Sequence, residues 1–187
     1  MDMRLSENRK LACVVLVVCV LLSVFALGGG ALGRERRKVM KVFNDGADAS
    51  LATRHSMDAY LDAAGESAGI MANEAEARMG ESDLANSALE NAALVGKDSA
   101  DLDARFNAYT DLKSQVEKLY NTMYSAVSTD EFRDFKLAYD DFWGYDDMIG
   151  RDEYHKLAKG YNALISGFPG GVVATLTRQG NLNTFGG

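Results

Sequence analysis

The chain has 187 residues, which is enough for one domain with a core of its own and too few for two full domains. Its net charge of −7, from 20 Lys and Arg against 27 Asp and Glu, argues against a nucleic-acid-binding module, which needs a basic surface. An apolar fraction of 47% argues against disorder of the whole chain, and a single proline favours long helices.

The first 43 residues differ sharply in charge from the rest. They contain eight Lys and Arg against three Asp and Glu, a net charge of +5, whereas residues 44–187 carry a net charge of −12. Within the basic part, residues 11–33 hold no charged side chain, and as a helix these 23 residues would measure about 34 Å, enough to cross a hydrocarbon core of roughly 30 Å. The sequence therefore predicts a single transmembrane helix over residues 11–33 that binds the lipid bilayer.

The flanks of this predicted anchor complete the N-terminal organisation. Residues 1–10 form the N-terminal flank with three Lys and Arg, and residues 34–43 form a basic juxtamembrane stalk with five. The excess of cations after the span favours a cytoplasmic position for the remainder of the chain. A cleaved signal peptide is the main alternative, because small residues at 28–33 could be cut by a peptidase.

The acidic remainder reads as a helical bundle over residues 44–176, followed by a flexible tail at 177–187 that is polar and glycine-rich. Apolar residues recur every three or four positions between Ser99 and Val127, which predicts one long amphipathic helix. The pattern resumes behind a capping box at 128–131 and continues to Pro169, as one helix or two because Gly144 and Gly150 weaken its middle. We therefore predict an all-α fold, in which the anchor precedes an antiparallel bundle of three to four long helices.

The end of the bundle resembles a known family. Tyr154-His155, Tyr161-Asn162 and Phe168-Pro169 follow one another at intervals of seven residues. This pattern is similar to the C-terminal part of the LemA family, and the resemblance is strongest over residues 100–176, with His155 in place of the family's first Asn and without its basic block in the first bundle helix. The resemblance implies an antiparallel helical bundle on one membrane anchor in a bacterial cell envelope. It also implies a structural role for Tyr154, Tyr161, Asn162, Phe168 and Pro169 and the company of other membrane proteins, but no reaction.

Few residues suggest chemistry. The two cysteines lie inside the predicted anchor, the two histidines are isolated, and no nucleophile or phosphate-binding motif occurs, so we predict no enzyme and no cofactor. The weak candidates for a metal site are four carboxylates whose oxygens suit a divalent cation, although a solvated acidic face explains them as well: Asp140, Asp141, Asp146 and Asp147.

These observations lead to one main functional hypothesis. The chain is expected to be a non-catalytic scaffold, or an interaction partner of other cell-envelope proteins, with homo-oligomerisation left open. The alternative is a module that binds a small ligand or a divalent cation through the aromatic and acidic segment 139–155. A hydrolase that uses carboxylates of the same segment is a third reading, but two carboxylates alone specify no reaction.

Overall fold

The computed structural model describes residues 9–47, 56–80, 82–96, 101–126 and 132–185, except that the side chains of residues 9–11, 21 and 24–27 are not described. These residues form seven helices, with loops and turns elsewhere in the described ranges: α1 (Arg9–Asp45), α2 (Met57–Met79), α3 (Asp83–Val95), α4 (Leu102–Ala126), α5 (Arg133–Arg151), α6 (Tyr154–Ser166) and α7 (Gly170–Thr177). The predicted all-α class is confirmed. The predicted capping box at 128–131 lies outside the described residues.

The chain divides into two compact units, Met1–Val39 with Lys159–Leu182, and Met40–Ala158 with Asn183–Gly187. We call them the anchor unit and the bundle unit. In the bundle unit, α2 lies against α3, α4 and α5, and α3 also packs on α4. Its core is apolar and closely filled, with Leu61, Met71, Leu112, Leu119, Phe135, Phe142 and Ile149 each fully buried.

The central position of α2 follows from its small side chains. Its buried face consists of four alanines, Gly65 and Ser67, together with Met57, Leu61 and Met71. A Cβ added to Gly65 would lie 2.9 Å from the carbonyl oxygen of Ala92, so α2 and α3 approach too closely there for any side chain. Ser56 begins α2 by accepting a hydrogen bond from the backbone N–H of Ala59 at 3.2 Å.

The apolar pattern that leads up to Pro169 forms two helices, α5 and α6, and not one. The break lies at Asp152 and Glu153, beyond Gly150, and Asp152 starts the next helix because its Oδ1 accepts a hydrogen bond from the backbone N–H of Tyr154 at 2.8 Å. His155 Nε2 lies 2.6 Å from the carbonyl oxygen of Ile149, in the last turn of α5. His155 therefore caps the preceding helix.

In the anchor unit, α1 and α7 are in close contact. Added Cβ atoms at Gly28 and Gly29 would lie 3.3 Å from Cγ2 of Val173 and 2.9 Å from Cγ2 of Thr177. The glycines at 28–30 and 33 lie inside a continuous helix, and the first two give α7 room to pack. None of the helices, as far as their residues are described, contains an apolar run of the length that a bilayer crossing requires. The transmembrane assignment of residues 11–33, six of which lie outside the described side chains, stays a prediction.

Candidate functional site

A cleft of about 700 Å³ opens between the last turns of α4 and the first turns of α5, in the bundle unit. Its lining is aromatic and apolar with a cationic rim, and consists of Tyr120, Tyr124, Phe132, Arg133, Lys136, Leu137 and Asp140. The two helices run antiparallel here, since Tyr120 stacks on Tyr139 with ring centroids 4.0 Å apart while Tyr124 meets Phe132 at 5.6 Å. We call this surface the aromatic cleft.

The aromatic cleft exposes side chains that a closed core would bury. Tyr124 is 69% exposed although it lies one turn after Tyr120 on the apolar face of α4, and Leu137 of α5 is 53% exposed. Phe132 is 7% exposed and forms the floor, where its ring also packs on Phe135 at 5.5 Å. The rigid floor and the exposed walls give a preformed surface that can accept an apolar side chain or ring.

The rim of the aromatic cleft carries a net positive charge within an acidic unit. Arg133 and Lys136 supply two cations, and Asp140 supplies one anion that forms an ion pair with Lys136. The hydrogen bond from Lys136 to Asp140 raises the pKa of the ammonium group. The cleft can therefore receive a group that is apolar and carries an acidic substituent.

The four carboxylates considered as metal ligands do not converge. Asp140 pairs with Lys136 and Asp147 pairs with Arg151, on the exposed surface of α5. Across the described ranges, no group of three or more His, Cys, Asp or Glu side chains is placed to hold a metal ion. Asp141 is exposed on the same helix.

Asp146 is engaged by two partners on α4. It accepts a hydrogen bond from the Tyr109 hydroxyl at 2.6 Å and an ion pair from Lys113 Nζ at 2.7 Å. The same ammonium group lies 5.6 Å from the centroid of the Trp143 ring. Burial, followed by the hydrogen bond to Asp146, raises the pKa of Tyr109 above its ordinary value of 10.0, so the phenol stays protonated and donates. This cluster joins α4 to α5.

Part of segment 139–155 lines a second, smaller cavity of about 450 Å³ with Tyr60, Met148, Arg151 and Asp152. Burial raises the pKa of Asp152, and burial followed by the charge of Asp152 raises the pKa of Tyr60. A phenol beside a half-buried carboxylate is ordinary packing chemistry. Among the described residues of this lining Asp152 is the one carboxylate, whereas a hydrolase of the glycosidase type would use two.

The residues of the LemA-like motif occupy different environments. Tyr154 is fully buried in the bundle unit, and its hydroxyl donates to the carbonyl oxygen of Asn183 at 2.9 Å. In the anchor unit, Asn162 makes a double hydrogen bond with the backbone of Leu182, at 2.8 Å in each direction, and the Tyr161 hydroxyl donates to Gln179. Phe168 differs, because it is 92% exposed, and Pro169 beside it is also exposed.

The predicted flexible tail at 177–187 stays a prediction, but its described residues 177–185 include buried side chains. Leu182 and Phe185 are 2% and 4% exposed, and Asn183 donates to Asp103 at 2.6 Å. Two apolar residues in a polar stretch are too few to form a helical or strand pattern, so periodicity could not reveal them. They are held by aromatic and polar groups that precede them by many residues.

Arg105 is a central residue that the sequence analysis missed. It is 5% exposed, donates from Nη1 to Asp58 at 2.7 Å and from Nε to the carbonyl oxygen of Val95 at 2.9 Å. It thereby joins the starts of α2 and α4 to the end of α3. The available signal was its position three residues after Leu102 and four before Tyr109, on the apolar stripe of α4.

Comparison of the chain with protein-family models, with curated proteins and with solved structures finds no match. The resemblance to the LemA family therefore rests on the sequence motif alone and stays a prediction. What the structure establishes is a helical bundle with an aromatic cleft at one end.

Proposed function

We propose that this chain is a membrane-anchored helical-bundle protein of the LemA type that acts as a non-catalytic scaffold, binding another cell-envelope protein through its aromatic cleft. The observation that carries the proposal is the exposure of Tyr124 and Leu137 above a buried Phe132. Aromatic side chains in a preformed recess beside an arginine are typical of protein-binding hot spots.

The expected partner segment is apolar with an acidic residue beside its anchoring side chain. The apolar side chain would fill the space between Tyr124 and Leu137, and the acidic residue would meet Arg133 at the rim. Arginine suits this role because its guanidinium can hold a carboxylate by two hydrogen bonds. The negative charge of the rest of the bundle would repel acidic chains elsewhere, which restricts such a partner to this end.

Membrane attachment is supported by α1. Seven large apolar side chains between Val14 and Leu22 are 42–65% exposed, and they follow so closely along the helix that they cover all its sides. A helix that is apolar all round is suited to hydrocarbon and poorly suited to water. We place this anchor at residues 11–33 in a bacterial cell membrane, with the bundle unit on the cytoplasmic side because five cations follow the span and three precede it.

Site-specific photocrosslinking in intact cells tests partner binding. A photoreactive phenylalanine analogue at position 124 should give a discrete adduct, and Leu137→Glu should abolish that adduct by placing a charge in the apolar wall. The matched control carries the probe at Leu94, a leucine on α3 that is 45% exposed, and should give no such adduct. Adducts of equal yield at positions 94 and 124, or an adduct that survives Leu137→Glu, would contradict the proposal.

The position of the bundle is tested by protease protection. Protease added to intact cells should leave the bundle unit uncut, and opening the cells should make it accessible. Cleavage in intact cells would place the bundle on the outer side and would restrict its partners accordingly.

A further inference from the structure

The anchor unit has a second apolar surface besides α1. From Gly160 to Thr177 the chain has 18 residues without a charged side chain, the longest such run after the predicted anchor. The run begins in α6, turns at Phe168-Pro169 and ends with α7. Lys159 and Arg178 flank it, as Lys10 and Arg34 flank residues 11–33.

One side of this run is buried and the other is exposed. Tyr161, Ile165, Val173 and Ala174 are all at most 7% exposed, within the anchor unit. Four other apolar residues of the run are exposed: Leu164 is 54% exposed, Phe168 92%, Val172 48% and Leu176 61%. Burial of the first four residues already stabilises the corner, by which we mean the end of α6, the turn at Phe168-Pro169 and α7. The four exposed residues are therefore available for a different environment.

The location of α7 indicates what that environment is. Val173 and Thr177 lie against Gly28 and Gly29, so α7 packs on the last third of the predicted membrane span. Gly28 lies six residues after Leu22, which is about 9 Å along the helix. The exposed residues Val172 and Leu176 therefore belong to a helix that packs on α1 shortly after its exposed apolar side chains, and an arginine follows each segment, Arg178 and Arg34.

We propose that the corner formed by the end of α6 and by α7 inserts Leu164, Phe168, Val172 and Leu176 into the lipid bilayer beside the anchor, at the depth of the headgroup and acyl boundary. This inference rests on the proposed membrane anchor. The apolar side chains enter the boundary region, as in other interfacial helices, while Lys159, Arg178 and the basic stretch that starts at Arg34 lie at the level of anionic headgroups. Insertion of the corner then fixes the rotation of α1 about its own axis. A single transmembrane helix without such a neighbour is free to rotate.

Spin labels on the reconstituted full chain test this geometry. In a background with Cys13 and Cys19 replaced by alanine, single cysteines are introduced by Phe168→Cys, Val172→Cys, Leu16→Cys and Leu137→Cys. Each labelled protein is placed in vesicles of phosphatidylethanolamine and phosphatidylglycerol, and collision with oxygen, which concentrates in lipid, is compared with collision with a water-soluble nickel chelate.

Labels at 168 and 172 should collide more with oxygen than with nickel, as should the label at 16, whereas the label at 137 in the bundle unit should show the reverse. Nickel-accessible labels at 168 and 172 with a lipid-exposed label at 16 would overturn the insertion of the corner and leave the anchor intact. A nickel-accessible label at 16 would overturn the anchor itself. Labels at 168 and 172 that neither reagent reaches would show that protein, such as a second copy, covers the corner, and would also overturn the inference.

Discussion

The two ends of the bundle unit use the same kinds of side chain in opposite ways. At one end, Phe43 and Tyr154 meet edge to face at 5.1 Å, Phe185 packs on Phe106, and Arg105 lies 5.5 Å from the Phe43 ring centroid. At the other end, Tyr120, Tyr124 and Phe132 gather beside Arg133, but no described segment covers them. The first end is closed by residues 183–185, whereas none of the described residues closes the second. Aromatic rings with a cation therefore form a core at one end and a partly exposed surface at the other.

The strongest test of the closed end is Arg105→Ala. The change leaves Asp58 and the carbonyl oxygen of Val95 without the guanidinium that binds them, and should lower the free energy of unfolding by about 3–5 kcal/mol. Urea denaturation followed by circular dichroism measures this. The control, Arg78→Ala, removes the surface pair with Glu74 and should cost below about 1 kcal/mol. Equal losses in both variants would mean that Arg105 does not hold the helices together.

Phe185→Ala tests whether the closing segment is part of the core. Phe185 is 4% exposed and contacts the rings of Phe43, Phe106 and Tyr109, so its removal should cost about 3–5 kcal/mol. The same denaturation experiment measures the loss. If the stability is unchanged, residues 183–185 form a tail after all and the contrast between the two ends disappears.

A pair of glycine variants tests the packing between the ends. Gly65→Ala places a Cβ against the carbonyl oxygen of Ala92 and should destabilise the bundle by about 1–3 kcal/mol. Gly69→Ala, one turn later on α2, meets no atom within 4 Å and should stabilise it by about 0.5–1 kcal/mol through helix propensity. Thermal melts of the two variants should move in opposite directions. Shifts of the same sign would show that α2 and α3 are less closely packed than described.

Tyr124→Ala addresses the open end. Because the ring is 69% exposed, its loss should change the free energy of unfolding by about 1 kcal/mol or less, in contrast to Phe185→Ala. The same variant should lose binding of the partner identified by crosslinking, measured as co-purification from solubilised membranes. A large loss of stability would mean that the cleft is core and would remove the basis for a binding surface.

The smallest effect is expected from Asp152→Asn. Asparagine keeps the oxygen that accepts the Tyr154 N–H but removes a charge whose burial raises the carboxyl pKa. Because the pKa of Asp152 is raised in the folded state, protonation of this carboxyl stabilises the native protein. Wild type lacks this stabilisation at neutral pH and gains it as the pH falls through the folded-state pKa towards the ordinary carboxyl value of 3.8. Asp152→Asn should therefore be the more stable at pH 7, and the difference should shrink in acid. Denaturation curves that give the same difference at every pH would contradict this assignment.

The sequence predicted the helices whose apolar residues recur at a regular spacing, but it did not predict single contacts between residues far apart in the chain. The stripe of α4 is buried as its spacing indicates, with Leu112, Val116 and Leu119 all inaccessible. The burial of Arg105 was not predicted, because the spacing of a helix assigns a charged residue to the solvent-exposed face by default. Its partner Asp58 lies 47 residues earlier, and no local pattern joins the two.

The candidate site shows the same limit. Tyr120 and Phe132 were recognisable as members of apolar faces, but the spacing of a helix gives no information on whether its face is covered. Tyr124 follows the spacing of α4 and is exposed, whereas Phe185 belongs to no helical pattern and is buried. Which end of the bundle is closed depends on the path of residues 183–185, and this path is set by contacts such as that of Asn183 with Asp103, 80 residues apart.

That long-range contact also sets the timing of folding. As the chain leaves the ribosome at roughly 5–20 residues per second, α2, α3 and the first turns of α4 emerge several seconds before Asn183 and Phe185. During that interval Phe43 and Phe106 lack the ring of Phe185 that packs on both of them. A chaperone that binds aromatic surfaces would find its substrate at this end of the nascent bundle, and release would follow once residue 185 is free of the exit tunnel.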